Sequence, residues 1–342
     1  MTDITIRGAG IFGLAIAWEC IKRGARVRII DPRGSGGGAS GGIVGAMAPH
    51  VPEKWNVKKE FQFQSLISAG AFWHELKEEY GISSGYARFG RVQPIKDEAS
   101  LILAKKRCGN AKTLWKGKAN LWISSGQPIW GLKSATGYWL YDDLTARINP
   151  KKACLALETA LNANGVRVLK SGNSKGVVLW ATGVHDLLRI SKRYNSSFGK
   201  GIKGQAALFE LDRSNAPQIF AESINFVPHA NGTMAVGSTS EVKYYNAKIC
   251  DRKLDELISS AKGLVPELET AKVIMRWAEV RPRVISRSPV MGHHPIDSNA
   301  FIANGGFKIG FGIANKVAKL MADLILDGKN KIPEQFLPSA SL

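Results

Sequence analysis

Ile4-Thr5-Ile6-Arg7-Gly8-Ala9-Gly10-Ile11-Phe12-Gly13 opens the chain on a short β-type run that turns through a GxGxxG. A helix-like stretch from Leu14 to Arg23 follows and is closed by Gly24. A second β-type run, Arg26-Val27-Arg28-Ile29-Ile30, ends on Asp31, 18 residues beyond Gly13. Each part has a mechanical role in holding a dinucleotide. Gly8 permits the tight turn off the strand. Gly10 lets a pyrophosphate approach the backbone at the positive end of the helix, and Gly13 lets helix and strand pack closely. Asp31 stands where a carboxylate accepts hydrogen bonds from an adenosine ribose. Ile11, Phe12, Pro32 and Arg33 flank these positions and join the candidate cofactor site.

The segment that follows separates one dinucleotide from another. Arg33-Gly34-Ser35-Gly36-Gly37-Gly38-Ala39-Ser40-Gly41-Gly42 continues into Ile43-Val44-Gly45-Ala46-Met47-Ala48-Pro49, and then into a helical pattern from Glu60 to Tyr80. A glycine-rich run of this kind also suits a flexible linker, but no new domain follows it. Small residues let backbone lie along a flavin's ribityl chain and ring. Ala39-Ser40-Gly41-Gly42 with Gly45-Ala46-Met47-Ala48-Pro49 resembles the second flavin-contacting segment of the D-amino-acid oxidase and glycine oxidase family of FAD enzymes.

The resemblance continues along the chain. Val177-Val178-Leu179-Trp180-Ala181-Thr182-Gly183 is similar to the family's late strand, which closes on the FAD near its pyrophosphate. Lys203-Gly204-Gln205, Phe226-Val227-Pro228 and Val236-Gly237-Ser238-Thr239 are similar to strands of its substrate domain. Trp277-Ala278-Glu279-Val280-Arg281-Pro282-Arg283 resembles its Trp-Ala-Gly-x-Arg-Pro segment. Asn304-Gly305-Gly306-Phe307-Lys308-Ile309-Gly310 resembles its glycine-rich turn into the last helix, here Ile313 to Leu326. The implied fold is α/β: a Rossmann-like FAD-binding domain with a discontinuous antiparallel β-sheet substrate domain, as in glycine oxidase. Residues 1–80, 141–190 and 280–335 are expected to form the FAD-binding domain, and 81–140 and 195–279 the substrate domain.

The resemblance also implies roles. Arg281 aligns with the arginine that grips a substrate carboxylate, and a planar guanidinium suits that task through two parallel charge-assisted hydrogen bonds. Arg283 competes for the role but is expected to point to the opposite face of its strand. Lys308 is a candidate for a place beside the flavin or for assisting reoxidation. His50 is expected to overhang flavin or substrate, or else to be structural. Ala181, Thr182, Gly183, Gly305, Gly306, Phe307, Ile309 and Gly310 complete the expected FAD contacts, the last group bringing the positive end of a helix to the flavin. Two departures bear on the substrate. Asn225 and Phe226 stand where an aromatic hydroxyl is expected, for which Tyr244 or Tyr245 are substitutes. Glu279 replaces a small residue and is placed either to pair with Arg281 or to attract a basic substrate.

The expected reaction is oxidation of the Cα–N bond of an amino acid or secondary amine by hydride transfer to flavin N5, with oxygen or a quinone as acceptor. Two alternatives stand beside it: an oxidase acting on the carboxymethylaminomethyl group of tRNA wobble uridine, and a non-catalytic flavin-binding subunit. The 342 residues carry 47 Lys and Arg against 28 Asp and Glu, a formal net charge of +19. The densest basic run is Lys105-Lys106-Arg107 with Lys112, Lys116 and Lys118, near Trp115 and Trp122. It reads as a solvated helix face in preference to a nucleic-acid surface. Four cysteines without CxxC spacing argue against a metal or disulfide framework and suit a reducing compartment. No run of about 18 apolar residues is present, and the chain enters its first strand within a few residues. A cytoplasmic protein without a leader, free to form oligomers, is the expectation.

Overall fold

The structure, a computed structural model, describes residues 2–126 and 129–342. The opening motif folds as read. Strand β1 (Asp3–Arg7) turns at Gly8 into helix α1 (Ile11–Lys22), and β2 (Arg26–Ile30) returns parallel to β1. The glycine-rich passage holds a 3-10 turn (Ala39–Gly41) and a short strand, β3 (Ala46–Met47), before helix α2 (Val57–Tyr80). Asn56 caps α2 by accepting from Lys59 N, and Gly81 ends it in the left-handed conformation with φ 71°.

The chain then crosses to a second sheet through β4 (Arg91–Pro94), helix α3 (Glu98–Leu114), β5 (Leu121–Ser124) and β6 (Trp139–Asp142). It comes back through β7 (Ala146–Arg147), α4 (Pro150–Ala163), β8 (Val168–Leu169), β9 (Val177–Trp180) and α5 (Val184–Arg193). Asn149-Pro150 starts α4 as a side-chain cap followed by proline in the first turn. A second excursion comprises β10 (Gly199–Glu210), β11 (Gln218–Ala221), β12 (Ile224–Pro228), β13 (Thr233–Gly237), α6 (Arg252–Leu264) and β14 (Val273–Val284). The chain closes with β15 (Val290–His293), β16 (Ala300–Asn304) and α7 (Gly310–Asp327).

Two sheets result. The six-stranded sheet has the order β15-β16-β9-β1-β2-β8, parallel except for β15. The connection from β1 departs to β2 on one side, while β9 takes the other. This reversal of direction opens a crevice at the carboxyl end of β1, where the GxGxxG lies. The eight-stranded sheet has the order β14-β10-β13-β12-β11-β4-β6-β5, antiparallel apart from β11 with β4. Its longest ladder joins β10 to β14, from Gly199 opposite Val284 to Phe209 opposite Val273.

The main core lies where α1, α2, α4 and α7 pack on and beside the six-stranded sheet. Leu14, Ile16, Ala17, Leu157, Leu161, Val317 and Met321 are buried there. A second core joins α6 to the eight-stranded sheet through Phe209, Phe226, Leu254 and Leu268. No helix among the described residues is long and apolar enough to cross a membrane. Helix α5, which the sequence pattern did not reveal, lies against β10 and β14 and begins directly after Gly183.

Backbone contact explains the first and third motif glycines. A Cβ on Gly13 would lie 1.9 Å from Gly8 O, and one on Gly8 would lie 2.3 Å from Ala181 O. Both collisions are with backbone, which cannot swing aside. Gly24, by contrast, has nothing within 4 Å of the position a Cβ would take. Gly13→Ala should therefore cost about 2–4 kcal/mol of unfolding free energy, as an overpacked site does. Gly24→Ala should cost only about 1 kcal/mol, for its positive φ. Denaturant titration of the two variants checks this; equal losses would show that close packing at Gly13 is not the constraint.

Candidate active site

One cavity of about 1000 Å³ runs from the glycine turn after β1 to the inner face of the eight-stranded sheet. Its first end is built by local geometry. Asp31 accepts from Ala9 N through Oδ2 and from Arg33 N through Oδ1, both at 2.9 Å. It thus pins the turn while its side chain lines the cavity. Ser40 Oγ accepts from Ile11 N at 2.9 Å, which ties the glycine-rich passage to the start of α1. A Cβ on Gly10 would meet only Ser40 Oγ, at 3.2 Å. Gly10 therefore keeps the cavity floor open, whereas Gly8 and Gly13 serve packing. Trp180, Ala181, Thr182 and Gly183 form the facing wall.

The far end is built by β14. Side chains two apart on a strand share a face. Trp277, Glu279 and Arg281 accordingly all line the cavity. Arg281 is buried, and its guanidinium donates to Ser238 Oγ at 2.7 Å and to Thr239 O at 3.3 Å, with the Trp277 ring 5.7 Å away. No carboxylate among the described residues comes within ion-pairing distance of it. Burial pushes its pKa down to about 10, partly offset by the more distant Glu241 charge. The group is still a cation at neutral pH. An unpaired buried cation facing a cavity calls for an anion.

The strand opposite makes room for this arginine. A Cβ on Gly204 would lie 2.0 Å from Arg281 Nη1. Its neighbours Lys203 and Gln205 point to the other face and clamp the following loop. Lys203 Nζ donates to Ile249 O and Asp251 Oδ2, each at 2.8 Å. Gln205 Nε2 donates to Glu241 at 2.9 Å and to Asp251 at 2.7 Å. The Lys-Gly-Gln run therefore holds the loop that supplies Ser238 and Thr239, and vacates space for the guanidinium. Gly204, Ser238 and Thr239 were not singled out from sequence, because their part depends on a ladder between strands about 75 residues apart.

Other residues read from sequence fall as follows. Ile11, Phe12, Pro32, Arg33, Ala39, Ala46, Gly305, Gly306, Phe307, Lys308, Ile309 and Gly310 line the same cavity, and so do Asn225 and Tyr244. Tyr245 is fully exposed, so only Tyr244 of that pair reaches the site. Glu279 lies 3.4 Å from Arg33 and does not pair with Arg281. Three expected cofactor residues, Gly13, Gly45 and Met47, are not in the lining of this cavity. Gly13 abuts Gly8, a Cβ on Gly45 would strike Ile148 O at 1.8 Å, and the Met47 side chain is sealed in the main core.

Two further expectations are corrected. Arg283, two residues beyond Arg281, lies on the same side of β14 and not the opposite one; it opens onto an adjoining cavity, with its guanidinium 5.6 Å from the Phe307 ring. His50 lines that adjoining cavity and not the large one. Its ring Nδ1 and backbone N both bond Gln62 Oε1. Burial lowers its pKa, and the nearby Lys58 and Lys59 charges add to this. Lys308 borders both cavities, and its pKa is lowered by burial and then by the Arg281 charge. The basic run sits largely on α3. Lys105, Lys106 and Lys112 are exposed, Arg107 pairs with Glu53 at 2.8 Å, and Lys116 pairs with Glu60 at 2.9 Å. Trp115 is buried, so it offers no stacking surface.

A turn without room for side chains, a long cavity and a buried arginine at its far end place the molecule among known proteins. Residues 3–324 match the family described as FAD dependent oxidoreductase. The chain belongs to that family. It is an FAD-dependent oxidoreductase, and FAD fits the glycine cradle: Gly8 and Gly13 are closed by backbone, while Gly10 opens to the cavity. The chain is 27% identical to the bifunctional protein ThiO/ThiG of Nostoc sp., over 96% of this chain but 53% of that protein, so it spans about half of that relative's length. It is 24% identical to the glycine oxidase of Geobacillus kaustophilus, over 94% of this chain and 92% of the relative. The crystal structure of glycine oxidase from Geobacillus kaustophilus superposes with a TM-score of 0.83, covering 97% of each chain. That of iminodiacetate oxidase from Chelativorans sp. BNC1 gives 0.83 at 19% identity, covering 98% of each.

Gly204→Ala should displace the Arg281 guanidinium without touching the glycine turn after β1. The expected outcome is normal FAD content with at least tenfold weaker turnover of small amines that carry a carboxylate. Retained turnover would show that the space above Gly204 is dispensable.

Proposed function

We propose that the protein oxidises the Cα–N bond of a small amino acid or a secondary amine bearing a carboxylate. The observation that carries this reading is the buried Arg281 guanidinium facing the cavity with no ion-pair partner among the described residues. A substrate carboxylate supplies that charge through two parallel hydrogen bonds, which fix its orientation as well as its position. Lys308, at which the Arg281 charge is felt, lines the same cavity and reinforces the preference for an anionic group. Residues Gly8, Gly10, Ile11, Phe12, Asp31 to Arg33, Ala39 and Ser40 hold the FAD at its dinucleotide end, with Ala181 to Gly183 facing them. Ala46 and Gly305 to Gly310 lie toward its ring. When bound, FAD would supply the redox chemistry, as acceptor for the hydride of the substrate Cα.

The protein's own part is to position and to exclude. Arg281 sets the direction of the Cα–H bond by fixing the carboxylate. Trp277 and Tyr244 wall the substrate end and limit the water that reaches it. Glu279, held by Arg33, leaves the guanidinium of Arg281 free for substrate. The reading assigns proton transfer to no side chain; the substrate amine enters neutral, and water hydrolyses the imine product.

Arg281→Ala should raise KM strongly at unchanged FAD content. Removing one partner of a charge-assisted pair in a dry site costs about 2–5 kcal/mol, roughly 30-fold to several thousand-fold. Arg281→Lys should restore only part of this, because an ammonium lacks the planar fork. An amine without a carboxylate should lose little in the variant. Anaerobic flavin reduction by both kinds of substrate measures this. An equal loss on both would remove the carboxylate-docking reading while leaving the flavoprotein.

A further inference from the structure

A second cavity, about 350 Å³ in volume, adjoins the first on the other side of the 305–309 loop. Lys58, Arg283, Arg287 and Lys308 line it together with His50; the rest of its wall is Pro289 and that loop. No carboxylate lines it, and none of the four cations makes an ion pair among the described residues. Lys58 Nζ donates to the Arg287 carbonyl, which turns a backbone acceptor and not an anion toward it.

The arrangement is costly unless something compensates it. Four like charges around one small cavity repel, more strongly at the half-buried Lys58 and Arg283 than at the exposed Arg287 and Lys308. Burial and the Arg287 charge both lower the Lys58 pKa, and burial and the Arg281 charge lower that of Lys308. His50 is tethered to Gln62 through Nδ1, which holds its ring at the cavity wall. The backbone adds an independent sign. Arg287 and Phe307 are both non-glycine residues in the left-handed region, with φ 56° and 42°. Such residues persist where surroundings over-determine them, and they gather at ligand clamps. The Phe307 ring lies 5.6 Å from the Arg283 guanidinium and 5.8 Å from Lys308 Nζ, so it gathers two of the cations on the wall between the cavities.

We infer that this side cavity is a binding site for a compact polyanion, a group with carboxylate or phosphate oxygens and at least two negative charges. Guanidinium groups supply paired donors to such oxygens and the ammonium groups supply point charge. The FAD pyrophosphate would not use it, because that group is assigned to the glycine turn at the first end of the large cavity. It rests on the proposed function only in assigning the substrate's α-carboxylate to Arg281. The polyanion has two sources: a second acidic group carried by the amine substrate, or a separate small anion.

The test is calorimetric titration of the yellow holoenzyme with inorganic phosphate and with malonate, at ionic strength held constant with potassium chloride. Saturable binding is expected. Lys58→Gln and Arg287→Gln should each weaken it at least tenfold at unchanged flavin content, and Arg287 is exposed, so its variant keeps the fold. Arg281→Ala should leave it within twofold, so this result stands apart from the outcome for the amine site. Kinetics then separate the sources. A tenfold rise in KM for an amino dicarboxylate but not for an amino monocarboxylate, in Lys58→Gln, identifies a second substrate carboxylate. Phosphate altering the turnover of both substrates alike identifies a separate anion. Absence of saturable binding in the wild type, binding indifferent to both variants, or binding lost only in Arg281→Ala would overturn the inference.

Discussion

A buried guanidinium with no ion-pair partner among the described residues is the constraint on which the substrate end of this molecule depends. Arg281 keeps its charge at the cost of a lowered pKa, held by Ser238, Thr239 and the face of Trp277. These are neutral partners and leave part of its charge uncompensated. The opposing strand gives up a side chain at Gly204 to admit it, and the residues on either side lock the loop that carries its two oxygen acceptors. A fold that places a buried cation so deliberately beside a large cavity is organised to receive an anion there.

The other end obeys a different constraint, the contact of backbone with backbone. Gly8, Gly13 and Ala181 meet so closely that β1, α1 and β9 form one rigid corner at the crevice of the parallel sheet. The two ends join because β14 belongs to the eight-stranded sheet while the 305–310 turn, between β16 and α7, belongs to the elements around the six-stranded one. The ion pair between Arg33 and Glu279 spans the same gap. The cavity is thus framed by both sheets.

Much of this was legible in the residues, for reasons that can be named. The GxGxxG, the strand ending at Asp31 and the Asn149-Pro150 helix start are local devices, in which side-chain size or capping chemistry acts within a few positions. The family resemblance drew attention to Arg281 for the same reason: its motif is contiguous. What failed was less local. The strand phase of Arg283 was misassigned, although the two-residue alternation places it on the Arg281 side. Met47 and Gly45 sit within a motif that touches the cavity only through some of its residues: the Met47 side chain enters the main core, and Gly45 lies against the Ile148 backbone. The purpose of Gly204, the location of His50 and the cations of the side cavity depend on contacts between distant segments, which spacing along the chain does not reveal.

The central claim is that Arg281 receives a carboxylate, and binding of an unreactive one tests it most directly. Acetate titrated into the oxidised yellow protein should perturb the flavin absorption saturably. The perturbation should disappear in Arg281→Ala and return weakly in Arg281→Lys, with bound FAD unchanged in both. Acetate binding of undiminished affinity in Arg281→Ala would contradict the account.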